Sequence, residues 1–272
     1  MPLLTRPTGL SIVIPVAYDY AYLWPTLRSC YGIADEIILG LDAARLTWLK
    51  TPYAFDDAAF RAGLTEVDKE HKIRLVEEDF HRLETSRQNA TDERNRLSKL
   101  CAPKHWVVQI DADEVLLDPM RFRNWLLGTW WNMNVMAQWI TVFKRFEEGC
   151  LVIQGQDEWT PVATLVRGAY SVHRYTAQRT RRSPLRLLHF SWGRKPEELR
   201  FKLKNWGHNQ DFDVEAYFHF WESVTLENYQ QVKNFHPLVP PSWPALKFIS
   251  NSEMNALQHG GEADQPGAPW GR

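Results

Sequence analysis

Cysteine is scarce in this chain, and what there is does not pair. Cys30, Cys101 and Cys150 are scattered through 272 residues, with no Cys-x-x-Cys spacing. A disulfide framework and a zinc site are therefore not expected, and a reducing compartment is. No apolar run reaches the ~20 residues of a membrane-spanning helix. The nearest, Trp130–Phe143, is broken by Asn132, Asn134 and Gln138. The opening MPLLTRPTGLSIVIPV does not read as a secretory signal, because its apolar run is short, β-branched and interrupted by Pro15. A cytoplasmic protein without a membrane span is the expectation. Net charge of one sign is missing too. The balance of 32 basic and 33 acidic residues gives −1, so whole-chain electrostatics favour neither nucleic acid nor membrane. Phosphate loops of the Gly-x-x-x-x-Gly-Lys type, dinucleotide turns of the Gly-x-Gly-x-x-Gly type, His-Glu-x-x-His and Gly-x-Ser-x-Gly are all absent.

What is present suits a globular enzyme-sized domain. Hydrophobic residues make up 44% and charged residues 24%, enough for an ordinary core without covalent staples. Tryptophan stands out with 13 copies. Core packing accounts for most of them, and exposed platforms for sugar rings or bases are the functional alternative.

The first half alternates strand and helix patterns. Ser11–Val16, Glu36–Leu41, Lys72–Glu77 and His105–Ile110 are β-branched or apolar runs. Helical spacing predicts helices over 21–31 and over 86–101, the latter with Ala90, Arg94, Leu97 and Cys101 on one stripe. Such units predict an α/β fold, a mostly parallel sheet with helices on both faces. Ligands of these sheets bind beyond the carboxyl ends of the strands. Tyr18–Asp19, Asp42 and Asp111–Asp113 fall at those ends. The second half reads as shorter strands followed by helices over 196–206 and about 213–233. A single domain over 1–257 is expected, with a nucleotide-binding half at about 10–119 and an acceptor half at 120–257. The Gly- and Pro-rich tail, 258–272, reads as disordered.

The sharpest motif is Gln109-Ile110-Asp111-Ala112-Asp113-Glu114. On a strand, residues two apart face the same way, so Asp111 and Asp113 could meet one hard cation. Mg²⁺ or Mn²⁺ takes oxygen ligands and keeps positions for substrate phosphates. The alternative is a capped loop in which the acids bond backbone amides.

Four segments in order resemble the nucleotide-binding core of GT-A fold glycosyltransferases, nearest to family 2. SIVIPVAYDY, with Pro15 and Tyr18, resembles the opening strand and nucleotide loop. EIILGLD ends in Asp42, similar to the base- or ribose-contacting aspartate. Glu93-Arg94-Asn95 resembles the Ala-Arg-Asn segment of the helix before the metal strand, and WVVQIDADEVL resembles that strand and its Asp-x-Asp. The likeness covers about Leu10 to Pro119. It implies a metal-dependent transferase that moves a sugar from a UDP- or GDP-type donor to an acceptor hydroxyl. Asp111, Ala112 and Asp113 would sit at the donor, with Asp111 and Asp113 on the metal.

Further roles follow the resemblance. His189, in LLHFSW, is similar in position to a third metal ligand, against a hydrogen-bonded core histidine. Arg194, Lys204 and His208 would stand beside the diphosphate. Asp157 and Glu158 would supply the general base of an inverting enzyme, against two solvated turn acids. Arg94, on an inward helix face, needs a partner. A buried carboxylate and the donor site are equal candidates. Residues 167–204 are rich in arginine and lysine. Diphosphate binding with a solvated loop is one reading. The other is DNA as acceptor, as in viral-type transferases acting on hydroxymethylated bases. A non-catalytic glycan- or nucleic-acid-binding module is the remaining alternative.

Overall fold

The computed structural model describes residues 6–258. In chain order the elements are β1 (Gly9–Val16), α1 (Leu23–Cys30), β2 (Glu36–Asp42), α2 (Asp57–Val67), β3 (Ile73–Glu78), α3 (Ser86–Lys99), β4 (His105–Gln109), β5 (Glu114–Leu117) and α4 (Pro119–Leu127). There follow β6 (Asn134–Arg145), β7 (Gly149–Gln154), β8 (Trp159–Thr164), β9 (Tyr170–Val172), β10 (Tyr175–Thr176) and β11 (Thr180–His189). The last are α5 (Pro196–Asn205), α6 (Val214–Ser223), β12 (Ala245–Ser250) and α7 (Asn251–Gln258). Apart from Gln258, the expected tail lies outside the described residues. No helix among them is long and apolar enough to cross a membrane.

The described residues form two compact units, one of 6–137 and 159–185, the other of 138–158 and 186–258. β6 and β11 each carry the chain from one to the other.

The first unit is the α/β part. β1 pairs in parallel with β2 and β4, and β2 with β3, giving the order β3-β2-β1-β4. β1 and β2 are apolar along almost their whole length, as strands covered on both faces must be. The sheet is mixed rather than uniformly parallel, because β8 joins β4 antiparallel. Val13, Ile38, Phe80, Leu97, Cys101 and Val107 form one buried cluster. α3 starts at a capping box. The Gln88 amide donates to the Thr85 hydroxyl, and the Gln88 side chain accepts from the Thr85 amide. It lies close on β2 because Gly40 has no side chain. A Cβ there would stand 2.5 Å from Leu97 Cδ1 and 3.0 Å from Glu93 Oε1. That close approach sets the depth at which Glu93 and Arg94 enter the interior.

In the second unit β6 pairs antiparallel with β7, and β7 with β12. Its core is aromatic: Phe143, Trp192, Phe218, Trp221, Phe235 and Trp243 pack with Leu199 and Leu203 of α5. The helix expected over about 213–233 ends at Ser223. Two features stop it. Asn228 bonds the amide of Thr225 and the carbonyl of Ser223, a local alternative to the helical ladder. Lys144 Nζ, from β6, donates to the carbonyls of Trp221, Glu222 and Val224 at 2.9, 2.9 and 2.7 Å. It thereby satisfies the orphan acceptors of the helix C-terminus.

Candidate functional site

The charged centre of the first unit is built where β4 ends. The strand stops at Gln109, and Asp111–Asp113 form a turn closed by the Glu114 amide donating to the Asp111 carbonyl at 3.0 Å. The strand geometry expected to aim both aspartates the same way therefore does not extend to them. Asp111 keeps a side chain 37% exposed, whereas Asp113 is buried. Thr26 of α1 fixes the turn by donating to the Ala112 carbonyl at 2.8 Å.

Two guanidiniums hold the Asp111 carboxylate. Arg94 Nη2 reaches Oδ1 at 2.5 Å, and its Nη1 reaches Gln109 Oε1 at 3.1 Å. Of the two partners expected for Arg94, the carboxylate it has found is Asp111 itself. Arg174 Nη2 meets Asp111 Oδ2 at 2.8 Å and Glu114 Oε2 at 2.9 Å. Arg174 and Glu114 are both buried. The Glu114 carboxylate also accepts from the Asp111 amide at 2.8 Å, so one buried acid fixes both ends of the turn.

Acids outnumber bases here. Glu93, Asp111, Asp113 and Glu114 face Arg94 and Arg174. The imbalance shows in their titration. Burial pushes the Glu93 carboxyl up to about 8, Arg94 opposes it, and Asp111 and Asp42 reinforce it. Burial pushes Glu114 up to about 7 against Arg174, with Asp111 reinforcing. Burial works against the Arg174 charge, but Asp111 and Glu114 together hold its pKa above the ordinary arginine value.

Asp42, at the end of β2, is a second acid of this sheet end. Its Oδ2 accepts from the Leu46 amide at 3.0 Å and its Oδ1 from the Phe80 amide at 3.3 Å, so it organises the loops after β2 and β3. The neutral form of His81 is favoured by burial, against the pull of Asp42. Tyr18, two residues beyond β1, meets Tyr53 edge-on at 6.4 Å. The Tyr53 hydroxyl is buried without a hydrogen-bond partner among the described residues. Burial raises its pKa, and Asp42, Asp19 and Glu93 add to the rise, so it shares the field of the carboxylates. Pro15 lies within β1, opposite Gly40.

Sequence reading missed Tyr53 and Arg174, whereas the capped-loop alternative, with Asp113 or Glu114 bonding a backbone amide, is met by Glu114 and the Asp111 amide. Tyr53 lies in a loop with no motif. Arg174 was counted in a basic region, yet a two-residue turn at His173-Arg174, with His173 at φ 48°, points it inward. The basic region 167–204 is divided between the two units. Arg167 bonds the Cys101 carbonyl, Arg174 is internal, and Arg179, Arg181 and Arg182 are exposed.

The remaining expected residues belong to the second unit. Asp157 is exposed. Glu158 is not a solvated turn acid. Its Oε1 accepts from the Trp243 indole at 2.7 Å, and burial raises its pKa against that bond. His189 is half-buried at the end of β11, with its ring stacked on Trp139 at 4.6 Å. Arg194 is buried, and its Nε donates to the Ser191 carbonyl at 3.0 Å, closing its own turn. Lys204 pairs with Glu215 at 2.9 Å, and His208 with Asp211 at 2.7 Å. Both are surface pairs, weakened by solvent screening.

A hard divalent cation suits the first-unit cluster in ligand type and charge. The acids are oxygen donors in excess of the guanidiniums. Among the described residues no group of three or more His, Cys, Asp or Glu side chains is placed to hold a metal alone. Mg²⁺ and Mn²⁺ sites of the substrate-bridged kind need only one or two carboxylates, with phosphates supplying other ligands. Asp111, with its partly exposed carboxylate, is the residue of this turn open to that mode, whereas Asp113 is buried.

No protein-family model matches the chain, and comparison with curated proteins gives no significant match.

Proposed function

We propose that the chain is a metal-dependent glycosyltransferase that binds a nucleoside-diphosphate sugar on its first unit and moves the sugar to an acceptor hydroxyl. The observation that carries this reading is the Arg94–Asp111 pair at the end of β4, in a parallel array whose β2 ends in Asp42. Loops at that end of a parallel sheet are where such folds bind nucleotides. Asp111 would hold the cation, Mn²⁺ or Mg²⁺. The cation supplies charge neutralisation on the diphosphate leaving group. Arg94 and Arg174 fix the Asp111 carboxylate in one orientation, so little reorganisation is needed when a ligand arrives. Tyr18 and Tyr53 offer an aromatic edge and a buried hydroxyl for the nucleoside. In the second unit, Glu158 is the acid of the expected pair whose pKa is tuned upward, as suits a proton acceptor working near neutrality.

The test is thermal stability against a panel of nucleoside diphosphates, with and without Mn²⁺. A ligand at roughly a hundred-fold excess over Kd raises Tm by about 5–10 °C for a chain of this size. The expected result is a Mn²⁺-dependent rise with one diphosphate, lost in Asp111→Asn and reduced in Tyr53→Phe. Release of the free nucleoside diphosphate during turnover then identifies sugar transfer, whereas pyrophosphate would mean nucleotidyl transfer. No shift with any diphosphate would sink the reading.

A further inference from the structure

One face of the first unit takes no part in the charged centre. It is built from residues 119–137 and 175–185, segments that contain no aspartate or glutamate, although Asp35 pairs with Arg123 of the first. Two adjacent tryptophans stand out from it, Trp131 67% and Trp130 52% exposed. Their loop is anchored at both ends. The Thr129 hydroxyl donates to the Trp125 carbonyl at 2.8 Å, and the Asn134 amide donates to the Arg179 carbonyl at 2.8 Å. The second bond brings the start of β11 alongside the tryptophans. Arg179 stands just before β11 and Arg181 near its start, and both are exposed. The guanidinium of Arg181 lies 6.0 Å from the Trp125 ring centre, and that of Arg6 lies 5.6 Å from the Trp130 ring centre. No ion pair involves Arg6, Arg179 or Arg181 among the described residues.

We infer that this face docks on an anionic lipid bilayer. The partner is polyanionic, because Arg6, Arg179 and Arg181 stand beside the tryptophans without an ion pair among the described residues. It must also accept indole, since exposing two neighbouring tryptophans to water is unfavourable and the bilayer interface is where indole partitions. The ring pairing separates a bilayer from nucleic acid. Stacking of bases needs open indole faces. Here arginines already lie against Trp125 and Trp130. A guanidinium–indole pair can enter a headgroup layer as it stands, ring toward the acyl boundary and charge on phosphate. No spanning helix is required, since peripheral binding needs only buried apolar area and basic charge.

The test uses the full chain and co-sedimentation with vesicles of phosphatidylcholine alone or with roughly a third phosphatidylglycerol. Binding is expected only to the anionic vesicles and should weaken at high salt. Trp130→Ala/Trp131→Ala and Arg179→Glu/Arg181→Glu should each keep the wild-type Tm, because all four side chains are exposed. Each arginine near an anionic surface is worth about five-fold in partition, so the charge reversal should cost ~25-fold or more. Absence of sedimentation, equal binding to neutral vesicles, or unchanged binding by both double variants overturns the proposal. Binding of an oligothymidylate without binding of vesicles also overturns it and assigns the face to nucleic acid. None of these outcomes depends on whether the chain transfers sugar.

Discussion

The two units bury opposite kinds of material. The first unit takes charge inside: Glu93, Arg94, Asp113, Glu114 and Arg174 are all under a tenth exposed. The second fills its interior with rings, and Arg194 is its one buried ionic side chain among the described residues. Aromatic packing is non-directional and tolerant of small shifts, so it suits a support. Buried ion pairs are costly to assemble and disproportionately costly to break. A protein carries them where orientation matters more than stability. The contrast is a physical ground, independent of any motif, for the donor site proposed on the first unit.

Removing one partner of the buried network should have the largest effect. Arg174→Met leaves Glu114 fully buried, and Asp111 partly so, without their common cation. Loss of stability of about 3–5 kcal/mol is expected by urea denaturation. Charge removal on both sides, Arg174→Met with Glu114→Gln, should recover a substantial part of that loss. A single variant with less than about 1 kcal/mol of effect would show that the pairing is not structural and would erase the contrast between the units.

In the second unit the comparable single change is smaller. Lys144 is half-buried and ends α6 by donating to three carbonyls. Its ammonium also lies 4.5 Å from the Trp221 ring centre. Lys144→Met keeps the stem and removes the donors. A cost of about 2 kcal/mol is expected, as for hydrogen bonds from a charged group. Thermal unfolding by circular dichroism would record it. A cost as large as that of Arg174→Met would mean that polar anchoring, and not ring packing, holds the second unit.

Much of the fold was legible because its strands are uninterrupted apolar runs. β1, β2 and β4 fall within a residue or two of the runs that predicted them. The antiparallel strands were less so. β9 and β10 lie on either side of a turn that needs a positive φ at His173, a residue with no glycine-like signature. The site was legible to the extent that Asp111 and Arg94 stand next to apolar patterns. Arg174 was not, because only the turn decides whether an arginine in a basic stretch faces solvent or a buried acid. The reach of α6 was misread for a related reason. Apolar spacing continues past Ser223, but the stop comes from Lys144, some eighty residues earlier in the chain.

Proton occupancy gives the finest probe of the contrast. Glu93 releases its proton near 4.5 when unfolded and at about 8 when folded. Between those values the folded state binds more protons, so stability falls as pH rises through the window and levels above it. Glu114 acts in the same direction up to about 7. His81 and His173 act in the opposite sense below about 6.5, since burial favours their neutral forms. Wild-type stability alone therefore mixes the contributions, and the informative quantity is the difference from Glu93→Gln. Gln resembles the protonated acid, so the variant should match the wild type within about 1 kcal/mol near pH 5. It should become the more stable of the two as pH rises toward about 8. A difference that stays flat across the window would mean that Glu93 is ionised in the folded state, its charge held by Arg94, and that the acid excess of the cluster is smaller than its composition implies.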